Sequence, residues 1–200
     1  ETEEGTYILA TLPDKQDVLL HFASAAAPST VGEAFGRKEL PDGTTVYAVA
    51  TRDETIDRFA RRYLPNKVTR ALGATPRLGI GDRMSTAIFP AIWRAMQDYG
   101  FAANAIQNSL RELNMLEDVL AAKEPKTNYL FSFGKIDEGH TGSTFEGLWL
   151  AGMMSALKKP GPLTFGADAD HIMVKRGPGG LDRAKRVATS GRHYSFFTLD

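Results

Sequence analysis

Apolar positions follow two different rhythms along this chain. Up to about Thr75 they come in short runs, Tyr7-Ile8-Leu9-Ala10, Val18-Leu19-Leu20-His21-Phe22 and Thr44-Thr45-Val46-Tyr47-Ala48-Val49. Turn signals at Pro13-Asp14 and Pro41-Asp42-Gly43 precede the second and third, so each run reads as a strand. Asp53-Glu54-Thr55-Ile56-Asp57 then opens a helix with acids in its first turn, and Ile56, Phe59, Ala60 and Tyr63 share one face until Pro65-Asn66 interrupts. Residues 1–75 therefore read as a small α+β segment without evident chemistry. His21, inside an apolar run, reads as a core histidine.

From Pro76 the rhythm becomes an alternation of strand and helix. Leu78-Gly79-Ile80 is a short strand, and Pro90 suits the first turn of a helix whose face carries Ile92, Trp93, Met96 and Tyr99. Phe101 to Ile106 is the second strand, and Ser109 to Glu112 has capping-box spacing for a helix carrying Leu110, Leu113, Leu116 and Leu120. Tyr129 to Phe133 is the third strand. A second capping-box spacing, Ser143 to Glu146, opens a helix with Leu150, Met153, Met154 and Leu157. Leu163-Thr164-Phe165 ends the fourth strand, a helix with Leu181, Ala184 and Val187 follows, and Tyr194 to Leu199 is the fifth.

Such alternation implies a parallel sheet, because parallel neighbours need crossover connections that helices fill. Charge falls just past several strands, at Gly81-Asp82-Arg83, at Lys135-Ile136-Asp137-Glu138, at Asp168-Ala169-Asp170-His171 and at Asp200. A barrel gathers those ends on one face, whereas a doubly wound sheet scatters them. Gly79-Ile80-Gly81 is followed by Met84 where a dinucleotide-binding fingerprint has its third glycine. The expected fold is α/β: residues 1–75 as the small α+β segment and residues 76–200 as the first part of a (β/α)-barrel. The chain does not begin with Met and ends on a strand-like Phe196-Phe197-Thr198-Leu199-Asp200, which suggests a fragment of a longer chain. An uncovered barrel edge is expected to aggregate or to pair with a partner, a second copy included.

Composition adds limits rather than direction. Lys+Arg and Asp+Glu balance at 24 each, so no overall field draws the protein to nucleic acid or to an anionic membrane. Cysteine is absent, which removes disulfides, thiolate metal sites and cysteine nucleophiles together. No apolar run approaches the roughly 20 residues of a membrane span, and the default compartment is the cytoplasm.

The densest candidate chemistry is Gly166-Ala167-Asp168-Ala169-Asp170-His171. A carboxylate beside an imidazole can be a base beside a metal ligand, and a turn or helix-capping cluster fits the residue types equally well. Arg83 can grip a carboxylate through two parallel hydrogen bonds, or pair with Asp82 in a loop. Gln107, Asn108 and Arg111 offer donors after the second strand, although a capping box accounts for Ser109 and Glu112 by itself. Asp137 to Thr144 combines acids, His140 and a helix N-terminus that can hold an anion, and reads equally as a polar turn.

Gly81-Asp82-Arg83, Gln107 with Ser109, Arg111 and Glu112, Gly166 to His171, and the closing Phe196 to Asp200 together resemble the tagaturonate epimerase family of hexuronate catabolism. The resemblance runs from about Pro76 to the end. Met173 stands where that family carries a basic residue and Ile88-Phe89-Pro90 where it carries a Thr-Pro-Gly-His run, which marks a divergent member. The resemblance implies a divalent-metal epimerase that interconverts the keto sugar acids tagaturonate and fructuronate. His171 would be a metal ligand and Asp170 the proton acceptor, with Arg83, Gln107, Arg111 and Asp168 as substrate contacts. The inverted centre in these acids is β to the ketone, so deprotonation beside the carbonyl does not reach it, whereas a retro-aldol cleavage with re-addition does, and that route needs a base to move an alcohol proton. The rival readings are a metal-dependent aldolase or isomerase on the same barrel and a non-catalytic sugar-acid binding module.

Overall fold

The computed structural model describes residues 2–23, 31–82, 84–109, 127–131, 134–137, 143–172 and 176–199. Its contacts divide the chain into two compact units, Glu1–Pro65 and Asn66–Asp200. Among the described residues no helix is long and apolar enough to cross a membrane.

The first unit is an antiparallel sheet with one helix. Strands β1 (Thr6–Thr11), β2 (Asp17–Ala23), β3 (Ala34–Glu39) and β4 (Thr45–Ala50) lie in the order β1-β2-β4-β3, and α1 (Asp53–Tyr63) follows. Asp53 and Glu54 begin the helix and Arg61 and Arg62 end it, each sign at the end of the dipole that favours it. Leu19, Val31 and Val49 form the centre of a core on which Tyr7, Ala34, Phe59 and Tyr63 pack. His21 belongs to this core, 1% exposed, with its ring stacked 4.3 Å from that of Tyr7. Its Nε2 lies 2.7 Å from the Glu4 carbonyl, which can only accept, so Nε2 carries the proton. Strand β3 escapes the sequence pattern because Arg37, Lys38 and Glu39 make it polar, as suits an edge strand paired on one side only.

The second unit is built on a parallel sheet. Strands β5 (Arg77–Gly79), β6 (Ala102–Ser109), β9 (Phe165–Ile172) and β10 (Phe196–Leu199) lie side by side in that order, without reversal. Helices α2 (Ser85–Tyr99) and α3 (Phe145–Leu157) pack on each other and on β6, and α4 (Gly180–Ser190) joins β9 to β10. Phe89, Trp93, Ile106, Phe145, Leu148, Trp149, Met153 and Phe165 are buried between these layers. At Gly152 the fit leaves no room for a side chain, since a Cβ there would lie 2.5 Å from Ile106 Cδ1 and 3.2 Å from Phe89 Cζ. The sheet is curled: the Arg77 guanidinium on β5 lies 5.5 Å from the Phe196 ring on β10, although both are edge strands. Three strand spacings of about 4.8 Å would hold them about 14 Å apart on a flat sheet.

Several expectations change. The segment 66–75 belongs to the second unit: the Asn66 carbonyl accepts from Leu163 N, Arg70 N donates to the Phe165 carbonyl, and Lys67 Nζ donates to the Lys159 carbonyl. Thr69 Oγ1 takes the Trp149 indole N–H at 3.0 Å and donates to the His193 carbonyl at 3.0 Å. Helix α2 begins at Ser85, so Pro90 lies inside it; Pro90 and Thr86, whose carbonyl it leaves without a helical donor, are both exposed. Tyr99, expected on the buried face, is 82% exposed, because six residues on from buried Trp93 is a turn of about 120° away. Helix α3 is capped by Thr144 rather than Ser143, with Thr144 Oγ1 accepting from Gly147 N at 2.9 Å.

The expected third strand is not part of the parallel sheet. Strands β7 (Thr127–Phe131) and β8 (Gly134–Asp137) form an antiparallel pair of their own, and β6 pairs directly with β9. Two intervening residues suffice for a hairpin but not for a parallel crossover. The helix expected over 109–120 lies outside the described residues except for Ser109, which is the last residue of β6. The candidates Asp137 to Thr144 are described only at Asp137, which ends β8, and at Ser143 and Thr144.

Candidate functional site

Strand β9 carries the candidate chemistry, and it runs further than its composition suggests. Asp168, Asp170 and His171 lie within β9, not beyond its end. Aspartate disfavours strands, but β6 on one side and β10 on the other supply a ladder to both edges and override that preference. The alternation of the strand then sorts its residues. Phe165, Ala167 and Ala169 are fully buried, Phe165 with its ring 4.8 Å from that of Trp93, whereas Asp168 and Asp170 are half-buried on the opposite, inner face.

Strand β6 brings a third polar group to the same face. The β6–β9 register slips by one residue between Asn104 and Ile106, a bulge at Ala105. Beyond it Gln107 lies beside Asp168 and Ser109 beside Asp170, while Ile106 points to α3. The single amide of Gln107 spans both carboxylates: Nε2 is 3.1 Å from Asp170 Oδ2 and 3.5 Å from Asp168 Oδ2. Two carboxylates two residues apart on one strand face repel, and an amide NH₂ that offers one N–H to each offsets part of that cost. Asp168 Oδ1 also accepts from Thr198 Oγ1 on β10 at 3.3 Å. Behind Gln107 stands Gly81, just past β5.

The inner face thus joins three of the six residues expected at the site, Gln107, Asp168 and Asp170. His171 follows directly as the penultimate residue of β9. Arg83 and Arg111 lie outside the described residues. Thr198 was missed; its only signal was one polar position in the apolar Phe196-Phe197-Thr198-Leu199 run. Gly81 was noted for its place in a glycine-rich turn, not for what stands against it.

Carboxylate oxygen and imidazole nitrogen are the donor types that divalent cations take, and Asp168, Asp170 and His171 supply them within four residues. Among the described residues no three such side chains converge. A cleft of about 800 Å³ lies elsewhere, at the opposite ends of the strands, between Thr75, Pro76, Met96, Gln97, Phe101 and Leu163. Its lining carries no ionisable side chain, so the carboxylate face is the stronger candidate for chemistry. Sites on parallel sheets also gather toward the C-terminal ends of strands.

No protein-family model and no curated protein sequence matches this chain. Solved structures do. Crystal structures of fructuronate-tagaturonate epimerase UxaE from Cohnella laeviribosi are similar to it at 17% sequence identity, with TM-scores of 0.57 for the native form, 0.57 with one glycerol and 0.59 with two. Each likeness covers 100% of this chain and 32% of the epimerase. At that identity the similarity is one of fold, and it is to the protein type that the sequence resembles.

Proposed function

We propose that this chain carries part of a sugar-acid epimerase of the tagaturonate/fructuronate type, built on a (β/α)-barrel to which the curled parallel sheet contributes four strands. The observation that carries the reading is the pair Asp168 and Asp170, bridged by Gln107 on the inner face of a sheet with an epimerase-like fold. In this reading Asp170 accepts the proton of the substrate alcohol. Its bond from Gln107 fixes the carboxylate rotamer, so the base meets that proton in one orientation. Asp168, held by Thr198 and Gln107, orients substrate hydroxyls, and Arg83 and Arg111 take the substrate carboxylate. A divalent cation held through His171 would polarise the ketone as a Lewis acid.

The test is direct: the purified protein is given tagaturonate with and without added divalent metal, and products are resolved by NMR. Fructuronate without smaller aldehydes is expected. Asp170→Asn should keep its metal content and lose about 10²–10⁴-fold in turnover, since an amide cannot accept the proton. His171→Ala should lose metal and activity together. Aldehyde release would move the assignment to an aldolase, binding without turnover to a binding module, and a fully active Asp170→Asn would remove the base.

A further inference from the structure

We infer that Gly81 is a positioning residue of the carboxylate site, acting through Gln107. A Cβ built on Gly81 would overlap Gln107 Oε1 and lie 2.9 Å from its Cδ. The space that the missing side chain leaves is therefore the seat of the Gln107 amide. That amide seated with Oε1 toward Gly81 presents Nε2 to Asp170 at 3.1 Å and to Asp168 at 3.5 Å. Any side chain at position 81 turns the amide out of this seat and withdraws both hydrogen bonds. Gly81 does not have the left-handed φ that would itself require glycine, and the three atoms nearest the added Cβ all belong to the Gln107 amide. Only the far end of one flexible side chain has to move, so Gly81→Ala should disturb Gln107 and leave the fold nearly intact.

The kinetic part of this inference rests on the epimerase reading; the structural part does not, and the experiment separates them. In ¹⁵N-labelled protein the side-chain amide of Gln107, identified by its loss in Gln107→Ala, should be protected from solvent exchange. In Gly81→Ala it should move to the position of an exposed glutamine, with the melting temperature nearly unchanged. In turnover, Gly81→Ala should lower kcat/KM by the same factor as Gln107→Ala, about 10- to 100-fold for hydrogen bonds to charged groups. The double variant should lose no more than Gln107→Ala alone, because the alanine at 81 then has nothing to displace. Should Gly81→Ala fold poorly, Gln107→Ala must restore it, and failure to restore it overturns the inference. A Gln107 amide signal unmoved by Gly81→Ala, or losses that multiply in the double variant, overturns it as well. If the parent protein turns over no sugar acid, the epimerase reading fails, and the amide spectra alone decide the role of Gly81.

Discussion

Thr69 shows how much one hydroxyl can hold. It is 1% exposed, accepts from the Trp149 indole and donates to the His193 carbonyl. Thr69→Val keeps the shape and takes one partner from the buried Trp149 indole and one from the part-buried His193 carbonyl, at about 1–3 kcal/mol together. Urea melts should show a loss in that range, and a neutral Thr69→Val would mean that solvent reaches both groups. Lys67 makes a second prediction at this scale. Burial holds its amine below the ordinary 10.5, so the fold penalises the charged form. Between the depressed folded value and 10.5 the unfolded chain binds the extra proton, so stability rises with pH across that window and the gain is lost again as pH falls through the folded value. Lys67→Met should flatten this rise, read as the difference between parent and variant urea midpoints at pH 7 and pH 10.5.

Strand β6 explains both what could and what could not be read from the sequence. Its residues Ala102 to Ile106 announce a strand, but Gln107-Asn108-Ser109 look like a loop because the bulge at Ala105 breaks the alternation that marks a half-buried strand. Asn104 precedes the slip, and Gln107 and Ser109 follow it, so the polar positions of the inner face are spaced three and then two apart. Strand β9 hid its extent for another reason, since two aspartates in a strand are tolerated only where neighbours on both edges supply the ladder. By contrast β1, β2, β4 and the acid-led start of α1 follow local rules, and His21 was legible as core because its neighbours are apolar. Helix α3 was legible to within one capping residue. Its contact with β6 was not, and it yields a prediction: Gly152→Ala should overpack against Ile106 and Phe89 and cost about 1–3 kcal/mol, seen as a lower melting temperature. An unchanged melting temperature would show that α3 can slide on the sheet.

At the scale of the molecule, the division at Pro65/Asn66 falls ten residues earlier than the change of rhythm at Pro76. Pattern alone assigned residues 66–75 to the first segment, because they form no long element and their partners at 149, 163, 165 and 193 are distant in sequence. A chain beginning at Asn66 should therefore melt cooperatively, whereas one beginning at Pro76 should melt earlier or not fold, and circular dichroism of the two compares them. The same partners set an order of events. The hydroxyl of Thr69 waits 80 residues for its indole and 124 for its carbonyl. Contacts so far apart in sequence carry a loop-closure cost and form slowly. On a ribosome making about 5–20 residues per second, the second unit cannot finish this junction until His193 has emerged, whereas the hairpin-linked strands of the first unit can pair long before.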